Sequence, residues 1–374
     1  MTSGAAQAPT VVCIGDPVMD LILRVSPETL AELGCAPGGC VSVEGDEMSS
    51  ITARASADGA PERIPGGSSA NVAKGLASLA GDSLRVRFVG MVGNDDVGTS
   101  YRSKLEAAGV DPVLLTTTGP ETTARCLCLV TPDGQRTMRT HLGAALGLTS
   151  LDTLPEDWLP PGTAVLHLEG YALYKPDYSV NAMRAAKRAG ALVSLDLASF
   201  ETVLNCADTL KSVLEEGLVD ILLANQDEAE TIARAELGYN GESALPAGRK
   251  APWEGEAVEM AMTHLLTFCD TCVVSMGPKG CVARSRGGGR GVSAACRVDA
   301  VDTTGAGDSF TAGFLHAHLM GAGLQEAAAC GCSAGTASVQ VAGAELPQAS
   351  WAQLRQQSLE IIATAGPGRV RVPS

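Results

Sequence analysis

The chain has no stretch dense in Lys and Arg, and that absence argues against a nucleic-acid-binding surface. Acids outnumber bases, 42 to 27, for a formal net charge of -15 over 374 residues. Such a protein can still bind an anion, but only locally, through backbone dipoles, a few cations or Mg2+. No apolar run reaches the ~18 residues that a membrane-crossing helix needs. The late run from 327 to 344 is rich in small residues and broken by Gly, Ser and Gln. Residues 1–10 have neither the basic nor the apolar segment of a signal peptide, so none is expected. The five His form no H-E-x-x-H. The twelve Cys include a lone C-x-x-C, Cys269 and Cys272, with no second pair at zinc-finger spacing, and Cys126 with Cys128 in a strand-like run. Free buried thiols in a reducing compartment are the expectation. Aromatic residues are only 3% of the chain, whereas apolar residues are 45% and charged ones 18%, a globular composition. A soluble, cytoplasmic protein is expected.

Against these absences stands Asp302-Thr303-Thr304-Gly305-Ala306-Gly307-Asp308, followed by the apolar run from Ser309 to Leu315. It reads as a turn that opens a helix. Its two glycines allow backbone N–H groups to approach an anion, and the helix start adds partial positive charge. An acid one residue past the second glycine is out of place in a phosphate cradle unless it does chemistry. Asp308 is therefore a candidate to take a proton from a hydroxyl while the turn holds a phosphoryl group.

Elsewhere short apolar runs end in Gly or an acid. Val11–Gly15 is followed by Asp16 and Asp20; Ala164–Leu168 by Glu169; Leu192–Leu195 by Asp196; Val219–Ala224 by Asn225 and Glu228; Thr271–Met276 by Gly277 and Gly280. These strands alternate with helical stretches, so the fold class is α/β with a mainly parallel sheet covered by helices. In such sheets ligands bind beyond the carboxyl ends of the strands, which makes Asp20 a candidate for substrate hydroxyls, with a turn acid as the alternative. Residues 36–65 alternate polar residues with Val41, Val43, Met48, Ile51 and Ala53 and read as short two-sided strands, not a helix. Residues 112–142 read as more strand with an Asp133-Gly134 hairpin turn. Together the two stretches predict a small β-lid. Between them, Gly66-Gly67 precedes a helix capped by Ser68 or Ser69, with Val72, Leu76, Leu79 and Ala80 on one face and Gly81 at its end. Asn71 lies on its first turn. Residues 238–256 and 285–291 read as surface insertions.

In the order Gly66-Gly67…Asn71 and then Asp302…Asp308, the chain resembles the PfkB (ribokinase-like) family of ATP-dependent carbohydrate and nucleoside kinases, over Val11 to about Gly343. A P-loop and a protein-kinase signature set are both absent, and neither is expected in that family. The resemblance implies one ribokinase-like three-layer α/β/α domain over residues 1–374, using ATP and Mg2+. It implies that Asp308 is the catalytic base and that Gly305, Ala306 and Gly307 form the anion hole. Asp20, Gly66, Gly67, Asn71 and Glu169 would meet the substrate. Asn225 and Glu228 would place Mg2+ and the phosphates, and Gly277 and Gly280 would build the nucleotide pocket. Asp302 and Thr304, with the loop 342–344, resemble a monovalent-cation (K+) site.

The opening loop Gly15–Asp20, Leu30–Gly34 and Ser194–Phe200 resemble adenosine-kinase-like members. Glu169 and the Asp302-Thr303-Thr304 form are also at home in ribokinase- and fructokinase-like members, and few rings are available to sandwich a purine. The expectation is phosphorylation of a primary hydroxyl of a sugar or nucleoside, with adenosine favoured. A catalytically idle scaffold is the alternative of another class, and the intact Asp308, Gly305 and Gly307 count against it. A two-stretch lid is compatible with a monomer and with a homodimer whose lids pair.

Overall fold

Runs of alternating burial become strands that face two cores at once. The computed structural model describes residues 8–35, 40–57, 59–132, 136–241, 255–341 and 343–364. In chain order the strands are β1 (Thr10–Ile14), β2 (Val18–Arg24), β3 (Cys40–Ser42), β4 (Glu62–Gly66), β5 (Arg85–Val92), β6 (Asp111–Thr116) and β7 (Ala124–Val130). They continue as β8 (Arg136–His141), β9 (Thr163–Glu169), β10 (Leu192–Asp196), β11 (Ile221–Asn225), β12 (Thr271–Ser275), β13 (Cys281–Ser285) and β14 (Arg290–Ser293). The main sheet has nine strands in the order β14-β13-β12-β11-β10-β9-β1-β5-β6. Neighbours from β6 to β12 run parallel, and β13 and β14 close one edge as an antiparallel hairpin. The expected insertion at 285–291 is the turn of that hairpin.

Val11 and Cys13 of β1 belong to one core, and Val12 and Ile14 to the other. Helices Ser68–Ala80 and Ala306–Leu319 cover the first face; Pro176–Arg188 and Gln226–Leu237 cover the second. β9 is buried along its whole length, as a central strand covered on both faces must be. The result is the three-layer α/β/α arrangement. No helix among the described residues is long and apolar enough to cross a membrane.

A second sheet, in the order β3-β8-β7-β2-β4, forms the lid. Its composition corrects the sequence reading in three ways. β2 alternates buried Met19, Leu21 and Leu23 with Asp20 and Ile22, so Asp20 sits on a lid strand, not in a loop beyond β1. β6, placed in the second lid stretch, pairs with β5 in the main sheet. Residues Gly45–Ala55 are a helix, because Met48, Ile51 and Ala55 recur at helical spacing and are buried together. The Asp133-Gly134 turn lies outside the described residues, but β7 and β8 do pair antiparallel, with Val130 opposite Arg136. Residues 242–254 of the other expected insertion also lie outside them.

Candidate active site

The two glycine-bearing stretches meet because their helices cross closely. A Cβ on Gly75 would lie 2.7 Å from the Ala312 Cβ, so the pair allows an approach that larger residues would block. One turn before this crossing, Asn71 and Asp308 face each other. Asn71 Nδ2 donates to Asp308 Oδ2 at 2.7 Å, and the Ser68 hydroxyl donates to Oδ1 at 2.6 Å. The cap of Ser68–Ala80 is Gly67, at φ +89°, and no side chain caps the helix; the Ser68 hydroxyl is turned onto Asp308 instead. Asn71 Oδ1 is buried and has no partner among the described residues.

Gly66 and Gly67, expected to approach the substrate, also answer to the protein itself. A Cβ at Gly66 would stand 2.3 Å from the Asp20 carboxylate, and one at Gly67 would stand 2.4 Å from the Asp16 carbonyl oxygen. The glycine pair therefore makes room for Asp20 and for the lid strand that carries it.

Five acids run from the lid to the end of β11. Burial raises them all, and each lies in the field of another. Asp20 is pushed up to about 7 by burial, with Lys74 and Arg136 pulling down and Asp308 pushing up. Burial raises Asp308 while its bonds from Ser68 and Asn71 hold it down. Glu169 is raised well above its usual range by burial and by Asp308. Asp196 is raised to about 7 by burial and by Glu169, and it accepts from the Thr311 hydroxyl at 2.8 Å. Glu228 is raised to about 8 by burial and by Asp196. Behind Glu169, buried His167 is pushed down to about 4 by burial; its ring bridges Ser194 at 3.2 Å and Glu169 at 3.1 Å. Lys74, 6% exposed, donates to the Pro65 carbonyl at 2.6 Å and sits near Asp20 and Asp308.

These acids have a consequence for stability. Folding raises the pKa of Asp20, Asp196 and Glu228 above their ordinary values of 3.8, 3.8 and 4.5. These carboxyls therefore hold more protons in the native state than in the unfolded chain between about pH 4 and pH 8, and the stability they contribute falls as pH rises through that window; His167 and His316, both pushed down to about 4 by burial, act in the opposite sense below about pH 6.5. The melting temperature of the metal-free protein is expected to drop between about pH 6.5 and pH 8, where the histidines no longer oppose the acids, in scanning calorimetry. A flat or rising curve contradicts the raised values.

At the second signature the lid closes onto the core through Arg136. Its guanidinium donates to the Thr304 hydroxyl at 2.6 Å and pairs with the Asp302 carboxylate. Asp302 also accepts from the Gly343 N–H at 2.6 Å and the Thr304 N–H at 3.0 Å; Ala342 lies outside the described residues. The carboxylate and hydroxyl expected to serve a monovalent cation thus meet the Arg136 guanidinium. Exchanging NaCl for KCl is expected to leave both melting temperature and turnover unchanged. A rise specific to KCl would mean that the ion displaces Arg136.

Beside the turn lies a cavity of about 980 Å³, lined by Asn225, Gly277, Gly280, Val298, Gly307 and Thr336 among others. The volume suits a nucleotide-sized ligand. A Cβ on Gly307 would meet nothing within 4 Å, so its bareness serves no contact of the chain itself and leaves space at the helix start for a ligand. Asn225 and Glu228 form a reciprocal cap: the Asn225 N–H reaches Glu228 Oε2 at 2.8 Å, Asn225 Nδ2 reaches Oε1 at 2.6 Å, and the Glu228 N–H reaches Asn225 Oδ1 at 3.0 Å. An amide and a buried, crowded carboxylate at the cavity's edge suit Mg2+ approached through water. Another cavity, about 680 Å³ and lined by Ser78, Trp351 and Arg355, carries none of these groups.

Sequence reasoning did not assign Ser68, Lys74, Arg136 or His167. Ser68 and Asn71 stand three apart on a first turn, a spacing that puts two donors on one side and could have been read. Arg136 and Lys74 act across the fold and left no local signal.

Residues 43–351 match the pfkB family carbohydrate kinase profile. A fructokinase of Klebsiella pneumoniae is 33% identical over 68% of this chain and 76% of its own length. An adenosine kinase of Schizophyllum commune is 25% identical over 92% and 97%. The crystal structure of adenosine kinase from Sinorhizobium meliloti superposes with a TM-score of 0.75 at 28% identity, covering 94% of this chain and all of that one. With a nine-stranded sheet, a separate small lid sheet and both signatures in one site, the chain belongs to the pfkB family of carbohydrate and nucleoside kinases.

Proposed function

We propose that this kinase transfers the γ-phosphoryl group of ATP to a primary hydroxyl of a nucleoside or sugar, with an adenosine-type nucleoside favoured. The observation that carries the reading is Asp308, held at 2.6 and 2.7 Å by Ser68 and Asn71 and set one residue past the Gly305–Gly307 turn. In this account Asp308 accepts the proton of the attacking hydroxyl. The acceptor lies between the two signatures: Asp20 accepts from its other hydroxyls, and Asn71 Oδ1 takes the partner it now lacks. Glu169, backed by His167, meets a further hydroxyl of the acceptor. Backbone N–H groups from Gly305, Ala306 and Gly307 face the charge that develops on the transferred group, which needs positioning and neutralisation more than covalent help. Gly277, Gly280 and Thr304 frame the nucleotide side. Asn225 and Glu228 would hold Mg2+, whose charge offsets that of the phosphates when it is bound. Closure of the lid excludes water as a competing acceptor.

Near-full-length similarity to adenosine kinases supports the nucleoside. A sugar is the second reading, favoured by one observation: the five lid strands contain no Phe, Tyr or Trp to stack on a base. A panel of nucleosides, ribose and fructose with Mg-ATP, read by ADP release, decides between them. Turnover on adenosine far above ribose and fructose supports the first reading, the reverse order supports the second, and no turnover on any acceptor overturns both.

A further inference from the structure

The lid carries two thiols, Cys126 and Cys128, that phosphoryl transfer does not use. Cys126 and Cys128 are two apart on β7, so their side chains point to one face of the sheet. β2 pairs with β7 in parallel and places Asp20 opposite Cys126. The two sulfurs are 3.7 Å apart, and neither Cys forms a disulfide. A tetrahedral ion with Zn–S bonds of about 2.3 Å requires sulfurs about 3.8 Å apart. An Asp20 carboxylate oxygen and both sulfurs all lie within 4.8 Å of one another. Among the described residues this is the one such group of three ligands. The Cys281–Cys332 pair, at 3.5 Å, is no part of any such group, and Cys269 Sγ is spent on the Leu265 carbonyl.

We propose that Asp20, Cys126 and Cys128 form a site for a soft divalent cation of the Zn2+ class, and that the ion, once bound, blocks the phosphate acceptor. Two thiolates favour Zn2+ over Mg2+, which prefers oxygen. Each thiol releases its proton to solvent as the metal–sulfur bond forms, and no electron moves. Two thiolates and one carboxylate bring three negative charges against two positive ones, and the nearby Lys74 and Arg136 offset the remainder. Three protein ligands leave the fourth tetrahedral position to water or an acceptor hydroxyl. The bound ion takes from the acceptor the carboxylate that the proposed function gives it. That blocking half of the inference rests on the proposed function; the binding half does not.

The test uses Co2+ alone as a spectroscopic probe on the full chain. Wild type is expected to show a thiolate-to-cobalt charge-transfer band and the intense visible bands of a tetrahedral site. The double variant Cys126→Ser/Cys128→Ser is expected to lose both, and Cys332→Ser to keep them. Zn2+ is expected to inhibit turnover competitively against the acceptor and not against ATP. Cys128→Ser should keep basal turnover and need at least about tenfold more Zn2+ for the same inhibition. Equal cobalt spectra in wild type and double variant overturn the site. Binding without acceptor-competitive inhibition, or inhibition unchanged in Cys128→Ser, overturns the blocking. Absence of all kinase turnover refutes the proposed function, and the spectra still decide the site.

Discussion

Asp308→Asn is expected to lower kcat by about 10²–10⁴-fold, the usual contribution of a positioned general base. The amide keeps the shape of the carboxylate but cannot accept the hydroxyl proton. Its lone oxygen can also satisfy only one of the two donors, Ser68 and Asn71, that now converge on it. Nucleotide affinity should change by no more than about twofold, because the proposed function puts Asp308 on the acceptor side of the turn, where the loss falls on the transition state. The fold should not suffer either. Burial opposes the charge on Asp308, so the neutral replacement removes a cost that offsets the donor left unpaired. ADP release, nucleotide titration calorimetry and a thermal melt separate the three outcomes. A variant that retains turnover has another base; one that unfolds assigns Asp308 a structural role.

Gly307→Ala is expected to leave the fold intact and damage the chemistry. Nothing lies within 4 Å of the added Cβ, and φ there is ordinary. An Ala inside a helix is worth up to about 1 kcal/mol more than Gly, so the melting temperature should hold or rise. The methyl group fills the open space at the helix start that the proposed function gives to the phosphoryl group. Pushing one backbone donor out of reach costs on the order of 10²–10³ in kcat. Gly305→Ala behaves oppositely. At φ +71°, with its Cβ 2.6 Å from that of Ala344, it should lose stability as well as activity. A melt paired with kcat/KM for ATP distinguishes the two glycines: one is bare for a ligand, the other for its own chain. Equal loss of stability in both variants would contradict that division.

What was legible in the sequence was local. Apolar runs closed by acids showed the parallel sheet, since a buried strand must be apolar throughout and its polar end must reach the site. The turn 302–308 stood out as a candidate anion site because glycines, helix start and acid fall within seven residues. The lid was harder. β2 alternates so that Asp20 faces one way and Met19 and Leu21 the other, but a strand leaving a tight loop reads at first as loop. Helix Gly45–Ala55 was obscured by the strand-like residues before it, although Met48, Ile51 and Ala55 kept helical spacing. The contacts that assemble the site span the chain: Ser68 and Asn71 to Asp308, and Arg136 to Asp302. The place of Arg136 at the expected cation site was hidden for that reason. No local pattern reveals that a side chain 166 residues away will fill it.

The central claim is Asp308-dependent transfer of a phosphoryl group to a hydroxyl. Mass spectrometry of acceptors incubated with Mg-ATP and either wild type or Asp308→Asn tests it directly. The account predicts one acceptor monophosphate per ADP with wild type and, on the same timescale, essentially none with the variant. ADP formed without any phosphorylated acceptor, or equal product from both proteins, would contradict it.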